Sequence, residues 1–380
     1  MEQKTSGRNT AEGGNMSGFY SYNRIDETHA QYRMVIGERS NGKTYGALLK
    51  AVTNYIEKGK QTAYIRRYKE DFVGKRGNTL FAAIVSDDWV KRLTKGEWNN
   101  IVYYSSAWYL AYTEEGQKTV KDETPFCYGF AINDMEHDKS TSYPNITMVI
   151  FDEFLSRGFY LSNEFVLFEN VLSTIIRQRN DVVIYMLGNT VNKMSPYFNE
   201  MGITNIRDMK PGDLDVYSYG ESELKVAIEY ADPIDKDIKQ SNVYFAFDNP
   251  SLQMITNGGW EFDLYPHITF KYRPKDIKFT YFIDFNGFML QCEIVRTDEG
   301  YITCIHRKTT PIKNKKDLVF TNKIDDSLYH IKRITQPTND IAKTCYQFLK
   351  TEKVFFQDNS VGEDLRNYLQ WCQKTEFLHG

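Results

Sequence analysis

The chain of 380 residues has little of what would mark a secreted or membrane protein. Its 5 cysteines, Cys127, Cys292, Cys304, Cys345 and Cys372, are odd in number, scattered and without a CxxC pair. Neither a disulfide framework nor a zinc site is therefore expected, and a reducing cytoplasm is the expected setting. No apolar run approaches the ~20 residues that span a bilayer, so no membrane partner is expected. The opening segment MEQKTSGRNTAEGGNMSG lacks the apolar core of a secretory signal, and residues 1–18 read as a disordered tail. Strong charge of one sign is also missing. A net charge of −3 excludes a surface that attracts nucleic acid everywhere, while leaving room for a local basic lining.

What is present is a globular composition, 41% hydrophobic and 26% charged, in a chain too long for one ordinary core. Two domains are expected. Gln31–Ile36 reads as a short buried strand and Tyr45–Lys58 as a helix, and between them lies GERSNGKT. Gly37, Glu38, Arg39, Ser40, Asn41, Gly42, Lys43 and Thr44 satisfy GxxxxGK[ST], with Tyr45 the next residue. Glycines let backbone N–H groups curl around phosphates, the lysine reaches the β and γ oxygens, and the threonine hydroxyl ligates magnesium. ATP and Mg2+ are the ligands this implies.

The second half of such a site is a carboxylate at the end of a neighbouring strand. Thr147–Phe151 (TMVIF) is an uninterrupted apolar run suited to a strand buried on both faces, and Asp152-Glu153 closes it. Asp152 can hold the metal while Glu153 polarises the attacking water. Asp181–Leu187 is another buried strand, after which Asn189 either senses the γ-phosphate or positions the water, or else caps a helix or turn. Arg177 and Arg179 either supply transition-state charge or sit solvated at a helix end, where the dipole favours them. Arg66, Arg67, Lys69, Lys75 and Arg76 form a basic cluster that fits DNA phosphates or an ordinary solvated face, and the run from Arg307 to Lys316 has the same two readings.

The alternation of strands and helices, including Gln61–Arg67 as a strand and Ser162–Gln178 as a helix, predicts an α/β sheet domain over 19–205. Residues 71–130 form an aromatic insertion without clear periodicity. Residues 206–245 are polar and acidic and read as a linker. Residues 246–380 read as a smaller α+β domain: strands over 277–285 and 288–295 flank Asn286-Gly287, a strong hairpin signal, a further strand covers 301–306, and helices lie near 337–350 and 361–374.

Taken in order, VIGERSNGKTYG, YIRRYKEDF, KSTSYPNITMVIFDEF, IIRQRND and SPYFN resemble the genome-packaging ATPases of phi29-type tailed bacteriophages. In the C-terminal half the resemblance rests on FNGF and overall length. It implies an additional-strand, catalytic-glutamate (ASCE) P-loop ATPase domain, a linker domain, and a vestigial nuclease domain of RNase H type. The family works as a homopentameric ring on the portal of a procapsid, driving double-stranded DNA inward in the host cytoplasm, and is not expected in the mature virion; a structural packaging RNA is a further partner it suggests. Carried onto this chain, Glu153 is the catalytic base, and Arg177 and Lys139 act on the neighbour's site. Arg39 meets phosphate or a neighbour, while Lys69, with Arg66 and Arg67, faces DNA. Asp284 and Asp358 stand where a nuclease would keep metal carboxylates, but two-metal chemistry needs a third partner that is not evident. A degenerate nuclease is therefore expected. The alternatives are a terminase with a live nuclease, and a nucleotide-gated factor that docks on the portal without moving DNA.

Overall fold

The computed structural model describes residues 20–137, 141–156, 160–161, 163–190, 193–220, 222–233, 265–323 and 327–373. The chain divides into two compact units, one ending at Trp260 and the other beginning at Glu261. The tail expected over 1–18 lies outside the described residues.

The first unit is built on a 10-stranded sheet among the described residues. Its strands are β1 Tyr32–Gly37, β2 Gln61–Arg66, β3 Asn100–Tyr104, β4 Ala107–Tyr112, β5 Val120–Lys121, β6 Cys127–Ala131, β7 Ile146–Asp152, β8 Val183–Asn189, β9 Leu214–Ser218 and β10 Lys225–Tyr230. The central strands, in the order β6-β2-β7-β8-β1-β10, are all parallel. Their near-continuous apolar sequences follow from cover on both faces. Along β7, Ile150 joins the cluster that contains Leu48, Ala51 and Val52 of the Lys43–Lys58 helix. Its neighbour Phe151 stacks instead on Phe168 of the Glu164–Ile176 helix, with ring centroids 4.9 Å apart. Successive side chains thus meet different helices, as strand alternation requires.

One segment differs from expectation, and another has a structure that its sequence left open. The stretch 206–245, expected as a linker, adds β9 and β10 to this sheet, and β10 pairs in parallel with β1 beside the glycine loop. The insertion over 71–130 folds into short helices, Lys75–Thr79, Ala82–Ser86 and Trp89–Leu93, followed by the antiparallel β3–β4 hairpin. Trp108 of β4 is 1% exposed and packs against Phe72, Phe81 and Tyr64.

Among the described residues the second unit holds a 6-stranded sheet in the order β15-β14-β11-β12-β13-β16. These are β11 Ile277–Phe285, β12 Phe288–Thr297, β13 Gly300–Arg307, β14 Val319–Thr321, β15 His330–Ile331 and β16 Val354–Phe356. The β11–β12 turn is Asn286-Gly287, with φ of 44° and 80°, the positive values that a two-residue hairpin turn needs. Strands β14 and β16 run parallel to β11 and β13. The helices Asp340–Leu349 and Asn359–Gln373 follow where helical spacing predicts them. All five cysteines are buried and unpaired.

Candidate active site

Because the central strands are parallel, their carboxyl ends share one edge of the sheet, where α/β proteins place their ligands. Gly37 at the end of β1 is in register with Asn189 at the end of β8, and Asp152 at the end of β7 with Leu187. On the far side of β7, Ile65 of β2 pairs with Phe151, which brings Arg66 level with Asp152. The cradle, the carboxylates and the amide therefore converge by topology alone.

The loop itself ends in Gly42, whose φ of 86° is left-handed, and the helix begins at Lys43. Only glycine takes that conformation without cost, and it leaves the helix's first N–H groups pointing outward toward an anion. Lys43 is 5% exposed, and its ammonium donates to Glu38 O at 2.7 Å, Asn41 Oδ1 at 3.0 Å and Asn189 Oδ1 at 3.4 Å. Burial pulls that ammonium down to about 8, against the opposing pull of Asp152 and Glu38. Asn41 Nδ2 is buried without a protein partner, a spare donor inside the cradle. The donor set, with its buried cation and unsatisfied amide, fits a polyphosphate.

Thr44 Oγ1 donates to the Asp152 carboxylate at 3.1 and 3.2 Å. A hydroxyl and a carboxylate in contact are the oxygen ligands a magnesium ion takes, with waters completing its shell. Tyr64, buried on β2, donates to Asp152 Oδ2 at 2.8 Å. Burial raises the Asp152 carboxyl above its ordinary value, and Arg66, Tyr64 and Thr44 hold it back. Glu153 follows in a left-handed turn with φ of 57°, its side chain 57% exposed. A single Arg66 guanidinium meets Glu153 Oε2 at 2.6 Å, Asp71 Oδ2 at 3.3 Å and Asp152 Oδ2 at 3.6 Å.

The expected DNA-facing arginines are placed otherwise. Arg66 is committed to the carboxylates of this site. Arg67 is 7% exposed and forks onto Glu164, which is 1% exposed, while also donating to Phe154 O at 2.8 Å and Glu153 O at 3.2 Å. That burial turns its guanidinium inward, onto Glu164 and the backbone carbonyls of Glu153 and Phe154. Lys69 is solvent-exposed and pairs with Asp134 at 2.6 Å. Arg177 is exposed, with φ of 51°, and its Nη2 donates to Thr141 O at 3.0 Å, while Arg179 donates to Tyr143 O and Pro144 O. These arginines line a separate depression with Ser142, Tyr143 and Pro144, not the cradle cavity. Lys139 lies outside the described residues.

The cradle opens into a cavity of about 760 Å³ lined by residues 40–45, Asp152, Glu153 and Leu187–Asn189, together with Asp87, Trp89 and Arg92. Sequence reasoning missed Tyr64 and Trp89 as parts of this site. Tyr64 carried no signal beyond its position in a buried strand, and Trp89 lies in the aperiodic insertion. In the second unit, Asp284 pairs with Lys323 at 2.8 Å, and Asp358 Oδ1 accepts from Val361 N at 2.9 Å as a helix cap. Among the described residues no group of His, Cys, Asp and Glu is arranged to hold a metal by itself.

Comparison with known proteins adds an independent line. A sequence model of Podovirus DNA encapsidation proteins (Gp16) matches residues 114–360. The DNA packaging proteins of Bacillus phages PZA and phi29 are each 25% identical over 327 residues, covering 84% of this chain and 85% of theirs. A chain of the bacteriophage phi29 viral genome packaging motor assembly superposes with a TM-score of 0.56 at 21% identity, covering 93% of this chain and 100% of that one. The last likeness establishes a shared fold.

Proposed function

The chain belongs to the Podovirus DNA encapsidation protein (Gp16) family, and from that membership we propose that it is the ATP-hydrolysing subunit of a motor that drives double-stranded DNA into a procapsid. The observation that carries the hydrolytic part is the meeting of Lys43, Thr44, Asp152 and Glu153 at one sheet edge, with β8 inserted between the loop strand β1 and the carboxylate strand β7. That inserted strand supports assignment to the additional-strand, catalytic-glutamate class of P-loop ATPases.

In this reading the loop N–H groups and Lys43 hold the β and γ phosphates, and Thr44 and Asp152 hold Mg2+. When bound, the metal neutralises charge on the phosphate oxygens. Glu153 takes the proton from the water that attacks the γ-phosphorus, and the bond to the β-γ bridging oxygen breaks to release ADP. Asn189, already touching Lys43, is positioned to sense the γ-phosphate. Arg177 and Lys139 act on a neighbouring subunit in a ring, a role supported for Arg177 by its exposure and its absence from the cavity of its own chain. Lys69 faces DNA, and Arg39 meets phosphate or a neighbour.

For the second unit, the order β13-β12-β11-β14-β15, an antiparallel meander followed by two parallel strands, supports the RNase H-like assignment. The engagement of Asp284 by Lys323 and of Asp358 in a cap supports its being vestigial. The ring sits on the portal in the host cytoplasm during assembly, with a structural packaging RNA as a further partner. The test is packaging with purified procapsids, ATP and DNA. DNA is expected to become protected from added nuclease with the wild type and not with Lys43→Ala. ATPase activity indifferent to DNA, with no protection, would favour a portal assembly factor. Manganese-dependent cutting that disappears in Asp284→Ala would establish a live nuclease.

A further inference from the structure

The cavity around the cradle does not stop at Thr44. It continues past Tyr45 to Asp87, Trp89 and Arg92, which come from the end of the Ala82–Ser86 helix and from the Trp89–Leu93 helix. One end is lined by a cation, a hydroxyl and carboxylates, and the other by an indole, a phenol and a guanidinium. Its volume of about 760 Å³ is that of a site for a whole small molecule. A triphosphate seated on Gly42–Thr44 would leave the aromatic end unfilled.

That end is built and locked. Tyr45 OH donates to Asp87 Oδ2 at 2.6 Å and accepts from Trp89 Nε1 at 2.8 Å, so both rings have their polar atoms satisfied by each other and by Asp87. Arg92 lies with its guanidinium carbon 4.2 Å from the centre of the Trp89 ring, a cation–π contact. The same guanidinium donates to Asp87 O, and Arg92 Nε donates to Asp88 O at 3.4 Å, which ties it back to its own segment. Trp89 and Arg92 both line the cavity, and what they offer a ligand there is indole and guanidinium surface. A molecule with a polyanionic tail and a planar ring matches both ends.

We infer that the nucleobase of the bound nucleotide stacks on the Trp89–Arg92 surface, with Tyr45 lining the passage from phosphates to base. The segment Ala82–Leu93 is then the base-side wall of the hydrolytic site. This rests on the nucleotide reading proposed above. Stacking uses the face that every base has, so the wall contributes affinity more than discrimination between bases.

The test is calorimetric titration of the full chain with ATP and, separately, with inorganic tripolyphosphate, both with Mg2+. Trp89→Ala is expected to weaken ATP by about 5- to 150-fold, the range of base–aromatic stacking, and to leave tripolyphosphate unchanged. Trp89→Phe should recover most of the ATP affinity. Arg92→Ala, at an exposed position where folding is not at stake, should give a smaller loss confined to ATP. Lys43→Ala should weaken both ligands. ATP affinity unchanged in Trp89→Ala and Arg92→Ala, or lost in the same proportion as tripolyphosphate in Arg92→Ala, would overturn the base-stacking role while leaving the cradle intact. A wild-type chain that binds neither ligand would instead overturn the nucleotide reading, and this inference with it.

Discussion

Replacing Arg67 by alanine removes half of a buried ion pair whose other half has no route to solvent. Glu164 accepts from Arg67 Nε and Nη2 at 2.8–3.0 Å, from Tyr197 OH at 2.8 Å and from Leu161 N at 2.6 Å. Taking away the arginine leaves a desolvated carboxylate without its counter-charge, which costs about 3–5 kcal/mol. Each kcal/mol moves the midpoint of a unit this size by about 2–4 °C, so the first unit is expected to melt roughly 6–20 °C lower. Arg67→Lys restores charge but not the planar fork, and should fall between. The carbonyls of Glu153 and Phe154 also lose their donors, so ATP turnover should drop at temperatures where the variant is still folded. The assay is scanning calorimetry of the full chain beside DNA affinity measured over a range of salt. A normal melting point, with a salt slope shallower by about one phosphate contact, would show Arg67 on DNA and refute the buried-pair argument.

Three further outcomes are expected. In the proposed site it is the charged form of Lys43 that would bind phosphate, and burial lowers that ammonium to about 8. The kcat/KM for ATP should therefore fall as pH rises through about 8, while kcat, which reports the complex where phosphates favour the charged form, turns down only at higher pH; a profile flat through the alkaline range contradicts this. Arg66→Ala removes the largest influence holding the buried Asp152 carboxyl down. As pH falls, Mg2+-dependent ATP binding should be lost at a higher pH than in the wild type, and superimposed acid limbs would count against the pairing. For Arg177→Ala, a minority of mutant subunits mixed into wild-type rings should slow hydrolysis by more than their share, whereas a strictly proportional decline would place the residue outside the neighbour's site.

The cradle and its carboxylates were legible because their signals are local. A left-handed glycine before a lysine, and an acidic pair closing an apolar run, depend on neighbours in sequence. The arginines were not legible, since RRYK reads as a charge cluster until Glu164 folds against Arg67 from 97 residues away. Strand β10 was hidden by Glu229, which interrupts KVAIEY and whose burial is supported by Tyr20 and Arg24 from the other end of the sequence of that unit. The β3–β4 hairpin turns on Ser105-Ser106, both at positive φ, without the Asn or Gly that announces such a turn; Asn286-Gly287 carries that signal, and its hairpin was found. The base-side wall assembles from Tyr45 and residues more than 40 positions later, a proximity only the packed helices create.

We take Glu153, next to Asp152 at the end of β7, as the base of an ATP-hydrolysing site on this chain. That role is checked by measuring ATP affinity and turnover of Glu153→Gln side by side. The glutamine keeps the shape but cannot take the proton, so ATP should bind within a few-fold of wild type while turnover falls by about 10² or more. Hydrolysis at the wild-type rate would remove Glu153 as the base.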